Sequence, residues 1–356
     1  MKVLMCAPTK RGGVSDFCKL IAEKMIVDVD LFPVGSRRED LTFLSHITRP
    51  IVDCYKLYQR LRTNSYDVVH LNPSLDVKAI IRDCFLLLIA AKAQVRTIVF
   101  IHGWDKKFHR LLARYFCGLF RAVYSRASAI ILLASEFRDA LTAMGLSQPM
   151  FVLTTAVSDD LFSYSLGKRI SRRNSCVSDS FVILFLARMV REKGLYESLE
   201  AFRLLRSRME NVHLVMAGDG PDLHNAKEYS KSSGLSEIEF VGHIQGPAKI
   251  QTFLRAHIYL LPSYGEGMPI SVLEAMSMGL PVITCPVGGL KDFFEHGKMG
   301  YLARTHDSVE ISNLAEMILR DASLRRRMSV FNRQYARTHF RASHVARRIE
   351  QVYSTL

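Results

Sequence analysis

The stretch from Pro262 to Ile283 reads PSYGEGMPISVLEAMSMGLPVI. Gly265, Gly267 and Pro269 interrupt any regular element at its start. The residues from Ile270 to Ser277 then carry apolar side chains at helical spacing, and Pro281–Thr284 reads as a short buried strand. Ile258–Leu261, just upstream, is a second apolar strand. Strand, glycine-rich turn, helix and strand in that order predict part of a parallel sheet covered by helices. Two carboxylates stand out in it. Glu266 lies in the turn, and Glu274 lies eight residues on, inside an apolar helix.

The same alternation runs outward in both directions. Phe181–Ala187, His213–Ala217 and Glu239–Val241 read as further strands, with helices near Leu195–Arg206 and Lys249–Arg255. Toward the N-terminus, Lys2–Ala7, Val68–Leu71, Thr97–Ile101 and Ala129–Ala134 read as strands. Helices are expected near Ser15–Met25 and from Ser135, as an N-cap, to Met144. Residues 164–180 break the pattern, being Ser-rich, basic and poor in large apolar side chains. The chain of 356 residues is therefore expected to be α/β, with two doubly wound Rossmann-like domains. The expected divisions are an N-terminal domain over 1–163, a linker over 164–180, a second domain over 181–335 and a C-terminal helix over 336–356. That helix is expected to return to the first domain. Ligands in such sheets bind at the carboxyl ends of the strands, which predicts a site in a cleft between the domains.

Composition narrows the function classes. Hydrophobic residues make up 49% and charged residues 23%, which excludes a disordered or collagen-like chain. No apolar run approaches the roughly 18 residues of a bilayer span. The N-terminal apolar stretch reads as too short for a signal peptide. Seven cysteines show no C-x-x-C pair, which points to reduced thiols and a cytoplasmic setting. The net charge of +14 is local: +7 over 1–163, +3 over 164–180, −3 over 181–318 and +7 over the last 38 residues. Lys106 to Arg126 holds six Lys/Arg and no acid. Phe108, Leu111, Leu112, Tyr115, Leu119 and Ala122 fall on one helical face there, and Lys107, Arg110, Arg114 and Arg121 on another. Such a helix either packs on a core with a solvated basic face or lies in an anionic membrane interface. Nucleic acid is disfavoured, because no zinc-ligand spacing, RNA-binding aromatic motif or helix-turn-helix accompanies the charge.

Three places carry chemistry. Gly12-Gly13 in TKRGGVSDF follows the first strand and opens a helix, where a backbone can approach an anion; a tight turn reads equally well. No G-x-G-x-x-G is present, so a nicotinamide dinucleotide site is not indicated. Arg188 and Lys193 in LARMVREKGL lie between a strand and a helix, where a fork and a point charge can neutralise a diphosphate or simply be solvated. Glu266 and Glu274 come third. Paired carboxylates can serve hydrolysis, but a Glu inside an apolar helix reads better as an anchor for vicinal hydroxyls.

Together the motifs resemble a family. Glu-x7-Glu in EGMPISVLE, R-x4-K in ARMVREKG, AGDGPD after a strand and GGLKDFFEHGKMGYL downstream are similar to the retaining, nucleotide-sugar-dependent glycosyltransferases of family 4, of the GT-B fold. The Gly-Gly loop and the His102-Gly103 pair of IHGWDKKF fit as well. The resemblance implies that Arg188 and Lys193 hold the donor diphosphate and that Glu274 binds the ribose. Glu266, with the amides of Gly267, Met268 and Pro269, would orient the sugar. Gly218 and the segment at His243 would line the nucleotide, His243 by its backbone. Gly12 and Gly13 would approach donor phosphate or acceptor, and His102 would sit near the reacting carbon or the acceptor hydroxyl. No metal and no cofactor beyond the nucleotide-diphosphate sugar is implied, and Asp28-Val29-Asp30 reads as surface. The implied partners are a nucleotide sugar, a glycan or lipid-linked acceptor and an anionic membrane surface met by 106–126, with no nucleic acid. The location expected is cytoplasmic, peripheral on the inner face of the membrane. Trp104 reads as an acceptor-stacking ring or as packing. The competing functions are a sugar-nucleotide epimerase or a phosphorylase of the same fold, and a non-catalytic carbohydrate- or membrane-binding scaffold.

Overall fold

Strand β1, Lys2–Pro8, is buried through Val3, Leu4, Met5 and Cys6 on both faces, so it can only lie inside a sheet. The computed structural model describes residues 1–10, 12–35, 43–164, 180–304 and 307–356. The chain divides into two compact units, Met1–Ala156 with Ala342–Leu356, and Val157–Arg341. Apart from Tyr164 and Ser180, the expected linker lies outside the described residues.

In the first unit β1 is flanked by β2 (Asp28–Val34) and β3 (Val68–Leu71), followed by β4 (Arg96–Ile101), β5 (Ala129–Leu132) and β6 (Met150–Val152). The order is β2-β1-β3-β4-β5-β6, and every pairing is parallel. The helices are α1 (Gly13–Ala22), α2 (Phe43–Thr63), α3 (Val77–Lys92), α4 (Lys106–Tyr115), α5 (Cys117–Tyr124) and α6 (Ser135–Ala143). Ser135 is the first residue of α6 and not its cap; Ala134 occupies that position. The expected continuous helix over 106–126 is broken at Phe116 (φ −124°, ψ 12°), which closes α4 and opens α5. The break turns the apolar stripe. Leu112, Phe120, Val123 and Tyr124 enter the core, while Leu111, Tyr115 and Leu119, expected on the same apolar face as Leu112, point to solvent.

In the second unit the strands are β7 (Phe181–Leu186), β8 (Val212–Ala217), β9 (Ile238–Gly242), β10 (Ile258–Leu261), β11 (Val282–Thr284) and β12 (Gly300–Leu302). Their order is β12-β11-β10-β7-β8-β9, again all parallel. The helices are α7 (Leu195–Arg206), α8 (Leu223–Ser232), α9 (Gly246–Arg255), α10 (Ile270–Ser277), α11 (Leu290–Phe293), α12 (Ser308–Arg320) and α13 (Ala322–His339). The chain winds outward from β7 to β9, then returns to β10 and winds out to β12. The direction reverses between β7 and β10, and in the first unit between β1 and β3. Such switch points open a crevice beyond the carboxyl ends of the strands.

The C-terminal segment is two helices rather than one. α13 ends in the second unit, where Phe340 O accepts the Val157 amide at 2.9 Å. A separate helix, α14 (Ala342–Ser354), belongs to the first unit. It packs on α1, Glu350 accepts the amides of Ile26 and Val27, and the Tyr353 hydroxyl lies 2.5 Å from His70 Nδ1. Among the described residues no helix is long and apolar enough to cross a membrane.

Candidate functional site

The site in the second unit is assembled from the loops that leave β7, β8, β10 and β11. After β7 the chain passes Arg188 and forms a single 3₁₀ turn, Arg191–Lys193, ending at Gly194 in the left-handed region (φ +74°). A Cβ at 194 would stand 2.2 Å from Pro262 O, so only glycine lets this turn lie against the end of β10. Two further bonds fasten the loops: Glu192 O accepts the Ser263 hydroxyl at 3.1 Å and the Tyr264 amide at 3.0 Å. On the other side the β8 loop grips Met189, whose amide donates to Asp219 O at 3.0 Å and whose carbonyl accepts Asp222 N at 3.1 Å.

This framework places Lys193 Nζ 2.7 Å from both carboxylate oxygens of Glu266. Glu266 is nearly buried, with a side chain 9% exposed. Arg188, the other expected cation, is exposed at the carboxyl end of β7 and holds no ion pair with the described residues. Gly267, Met268 and Pro269 continue from Glu266 into α10, whose N-terminus carries no side-chain cap. One turn into that helix Glu274 faces Lys249 of α9. Lys249 Nζ is 2.6 Å from each carboxylate oxygen, with its hydrogen bond directed to Oε1. Oε2 is buried without a hydrogen bond and keeps its accepting capacity. Burial pushes the Glu274 carboxyl above the usual range, and the Lys249 ammonium pulls it back down.

The remaining expected residues fall in two other places. Gly218 (φ +140°) lies against the β7 loop, where a Cβ would meet Ala187 O, and His243 is exposed after β9 beside Gln245. His102, Gly12 and Gly13 belong to the first unit, at the carboxyl ends of β4 and β1. Gly12 has extended backbone and open space where a Cβ would be, so neither conformation nor packing demands glycine there.

His102 is buried between the rings of Phe100, stacked at 4.1 Å, and Phe17, edge-on at 4.8 Å. Its Nε2 lies 2.9 Å from Asn72 Oδ1. The Asn72 amide nitrogen donates to Cys6 O, so the oxygen must face the ring, and the histidine proton sits on Nε2. Burial, with the nearby His70, lowers the His102 pKa to about 3. His102 is therefore a neutral ring whose Nδ1 can accept a hydrogen bond. Trp104 stacks on Phe137 at 4.3 Å with rings 2° from parallel, which is packing. Asp28 and Asp30 lie on the edge strand β2, and Asp30 is engaged by Arg60 and the Tyr66 hydroxyl. Among the described residues no group of His, Cys, Asp or Glu is placed to hold a metal ion.

Sequence reasoning missed Lys249 and Asn72. Nothing in local spacing ties Lys249 to a carboxylate 25 residues away. Asn72, directly after β3, was detectable as a polar residue closing a buried strand.

Residues 168–335 match the family model described as Glycosyl transferases group 1. The chain is 24% identical over 208 residues to the capsular polysaccharide biosynthesis glycosyltransferase CapM of Staphylococcus aureus, covering 58% of this chain and 54% of that protein. It is 26% identical over 235 residues to the putative teichuronic acid biosynthesis glycosyltransferase TuaC of Bacillus subtilis, covering 65% and 57%. The matched region thus spans little more than half the length of either relative. Anabaena Alr3699/HepE, solved in complex with UDP and glucose, superposes over 100% of both chains with a TM-score of 0.77 at 18% identity. Sucrose-phosphate synthase from Thermosynechococcus elongatus gives 0.74 at 16% identity, covering 99% of this chain and 98% of that one. These likenesses show the fold, two doubly wound α/β units of the GT-B type.

Proposed function

We propose that the chain is a glycosyltransferase that moves a sugar from a nucleoside-diphosphate sugar to a hydroxyl of a glycan or lipid-linked acceptor, with retention of configuration and without a metal. The observation that carries this is the pairing of Lys193 with Glu266 and of Lys249 with Glu274, side by side at the switch point between β7 and β10. The match of residues 168–335 to the glycosyl transferases group 1 model supports it.

On this reading Arg188 and Lys193 bind the donor diphosphate and hold the charge that develops as it leaves. The diphosphate competes with Glu266 for Lys193, which turns the carboxylate toward the sugar hydroxyls. Glu274 accepts from the ribose diol through Oε2. The α10 amides after Gly267 meet the remaining sugar or phosphate oxygens, and the Gly218 and His243 loops border the base. Two cations already face the diphosphate, so no metal is required by the chemistry.

Retention requires the acceptor to attack on the face from which the diphosphate leaves, unless a protein nucleophile intervenes. In the structure Glu266 and Glu274 are each paired with a lysine, which argues against either of these two carboxylates as the nucleophile. A neutral His102 with a pKa near 3 is too weak a base to take the acceptor proton at neutral pH. The proton passes to a donor phosphate oxygen, and His102 Nδ1 orients a hydroxyl by accepting from it. Gly12 and Gly13 give the diphosphate or acceptor close access to backbone. The enzyme works in the cytoplasm, and the basic α4–α5 segment meets the anionic inner face of the membrane.

A thermal-shift screen with UDP, GDP, ADP and their sugar conjugates tests the reading. At 100 times its dissociation constant a ligand stabilises the fold by roughly 2.7 kcal/mol. A shift with one nucleotide that Glu274→Ala removes supports the donor site. No shift with any nucleotide, together with no donor hydrolysis, refutes it.

A further inference from the structure

Helices α2, α3, α5 and α4 pack in that order as one layer over the first sheet. Of the eighteen large hydrophobic residues exposed among the described residues, twelve lie on these helices or at the Phe116 joint. Single exposed apolar residues need no explanation, but such a concentration does. On α3, Ile80, Leu86, Leu87 and Ala90 face the core. Its outward side carries Val77, Ile81, Phe85 and Leu88 at steps of four, four and three residues, and Ile81 and Phe85 are 55% and 54% exposed. On α2, Ile51, Tyr55 and Tyr58 repeat the pattern. Leu111, Tyr115 and Leu119 extend it across α4 and α5. A solvated helix would place charge along these stripes.

The charge on this layer is predominantly of one sign. The four helices hold twelve Lys/Arg and two acids, Asp53 and Asp83. Both acids are 1% exposed and face inward: Asp53 accepts the Gly35 amide and Asp83 pairs with Arg82. The exposed face is therefore apolar and predominantly cationic; the carboxylates beside it are Asp30, paired with Arg60, and Asp76 and Asp105, which cap α3 and α4. Arg114 over Tyr115 and Arg62 over Tyr58 interleave the two kinds of group.

We propose that the outer face of α2–α5 is a docking surface for an anionic lipid bilayer. The apolar stripe of α3 and its neighbours enters the interface, and the lysines and arginines lie over the headgroups. A second copy of the chain fits poorly, because an isologous contact would oppose two faces on which cations far outnumber acids. A nucleic acid would use the cations but leave Val77, Ile81 and Leu88 without a partner. This widens the membrane contact from the α4–α5 segment to the whole layer. It rests on the first unit and does not depend on the donor-site assignment.

The test is flotation of the full chain with vesicles of phosphatidylcholine alone, or with about one third phosphatidylglycerol. Binding to the anionic vesicles is expected, weakened by salt. Ile81→Asp combined with Phe85→Asp should lower the partition coefficient about tenfold or more. Lys107→Glu with Arg110→Glu should do the same. Val330→Asp, at an equally exposed apolar position of the second unit, should leave binding unchanged. Far-UV circular dichroism reports whether each variant is folded, and Phe85→Ser serves if the double aspartate variant is not. Absence of binding to anionic vesicles at low salt overturns the proposal, as does wild-type binding by the folded α3 variant. A solution dimer that the α3 variant dissociates, without change in vesicle binding, assigns the face to a second copy and also overturns it. Nucleotide thermal shifts on the same samples report the donor site separately, so failure of one reading is not mistaken for failure of the other.

Discussion

Lys193 Nζ bridges both oxygens of Glu266 at 2.7 Å, although the two residues are 73 positions apart. The contact exists because Gly194 lets one loop close on the end of β10, and because Glu192 O holds the other through Ser263 and Tyr264. It joins a cation suited to a diphosphate and a carboxylate suited to sugar hydroxyls in one partly buried pair. A ligand that takes one partner must engage the other, since a charge left unpaired at such a site is costly.

Removing the cation should therefore impair the chemical step and also lower stability, because Glu266 is left unpaired. Lys193→Ala is expected to lower turnover by about 10²–10³-fold, by analogy with loss of a preorganised oxyanion donor. Arg188→Ala, at an exposed position without an ion pair, should leave the melting temperature unchanged and cut turnover on a similar scale. Steady-state transfer rates and thermal melts on the two variants decide this. Near-native turnover in Arg188→Ala removes that residue from the diphosphate site.

Lys249 supplies a second prediction. Burial raises the Glu274 carboxyl and Lys249 opposes that rise. Lys249→Met should let it climb further, so that protonation competes with ribose binding at higher pH. A protonated carboxyl loses its charge and turns one oxygen into a donor, so it accepts from a diol more weakly. The variant should thus bind nucleotide progressively more weakly as pH falls, from a higher starting pH than the wild type. Titration calorimetry at several pH values measures it, and Glu274→Gln should bind weakly at every pH. A pH profile unchanged by Lys249→Met would separate Lys249 from the site.

Much of this arrangement was legible before the structure. Val68–Leu71 and Ile258–Leu261 carry large apolar residues on both faces, with His70 the one exception, and a central parallel strand satisfies that pattern. Glu274 was conspicuous as a charge inside an apolar helix. Of the four edge strands only β9 was legible, as Glu239–Val241; β2, β6 and β12 were not. β2 carries Asp28, Asp30 and Pro33 and needs only one neighbour, while β6 and β12 have three residues each. The break at Phe116 escaped too, because helical spacing across 106–126 is continuous in sequence and only tertiary packing chooses Leu112 over Leu111 for the core. Lys249 escaped because an ion pair between α9 and α10 depends on sheet order, which the spacing of residues does not encode.

The buried histidines predict an acid-sensitive first unit. His70 and His102 both have pKa values lowered to about 3 from 6.5 by burial. A histidine with a depressed folded pKa contributes stability that is present above the unfolded pKa and is lost as pH falls through 6.5 toward 3. Each should cost up to about 1.4 kcal/mol per pH unit inside that window. Melting temperatures recorded from pH 7 to pH 4 should fall more steeply for the wild type than for His102→Gln. The pH–rate profile should show no inflection near 6.5 that His102→Gln abolishes, since this ring stays neutral. Such an inflection, lost in the variant, would make His102 the base.

Gly288 offers the sharpest test of how the donor loops depend on one another. It sits after β11 in the left-handed region (φ +52°), and a Cβ there would stand 2.1 Å from Glu266 O and 2.6 Å from Gly267 O. The adjoining Gly289 amide donates to Gly267 O at 2.9 Å, so the contact is a seat for the Glu266 loop. Gly288→Ala must strain the backbone and also push that loop away. Gly234 shares the left-handed conformation (φ +66°), but a methyl group there would have nothing within 4 Å. Both alanine variants should lose about 1 kcal/mol of stability from conformation alone. Only Gly288→Ala should also lose function, on the order of 10²-fold in kcat/KM if the Glu266 loop shifts by about 1 Å. Denaturant melts and transfer assays on the pair separate the two effects. Equal activity in both variants would mean that the Glu266 loop holds its geometry without the Gly288 seat.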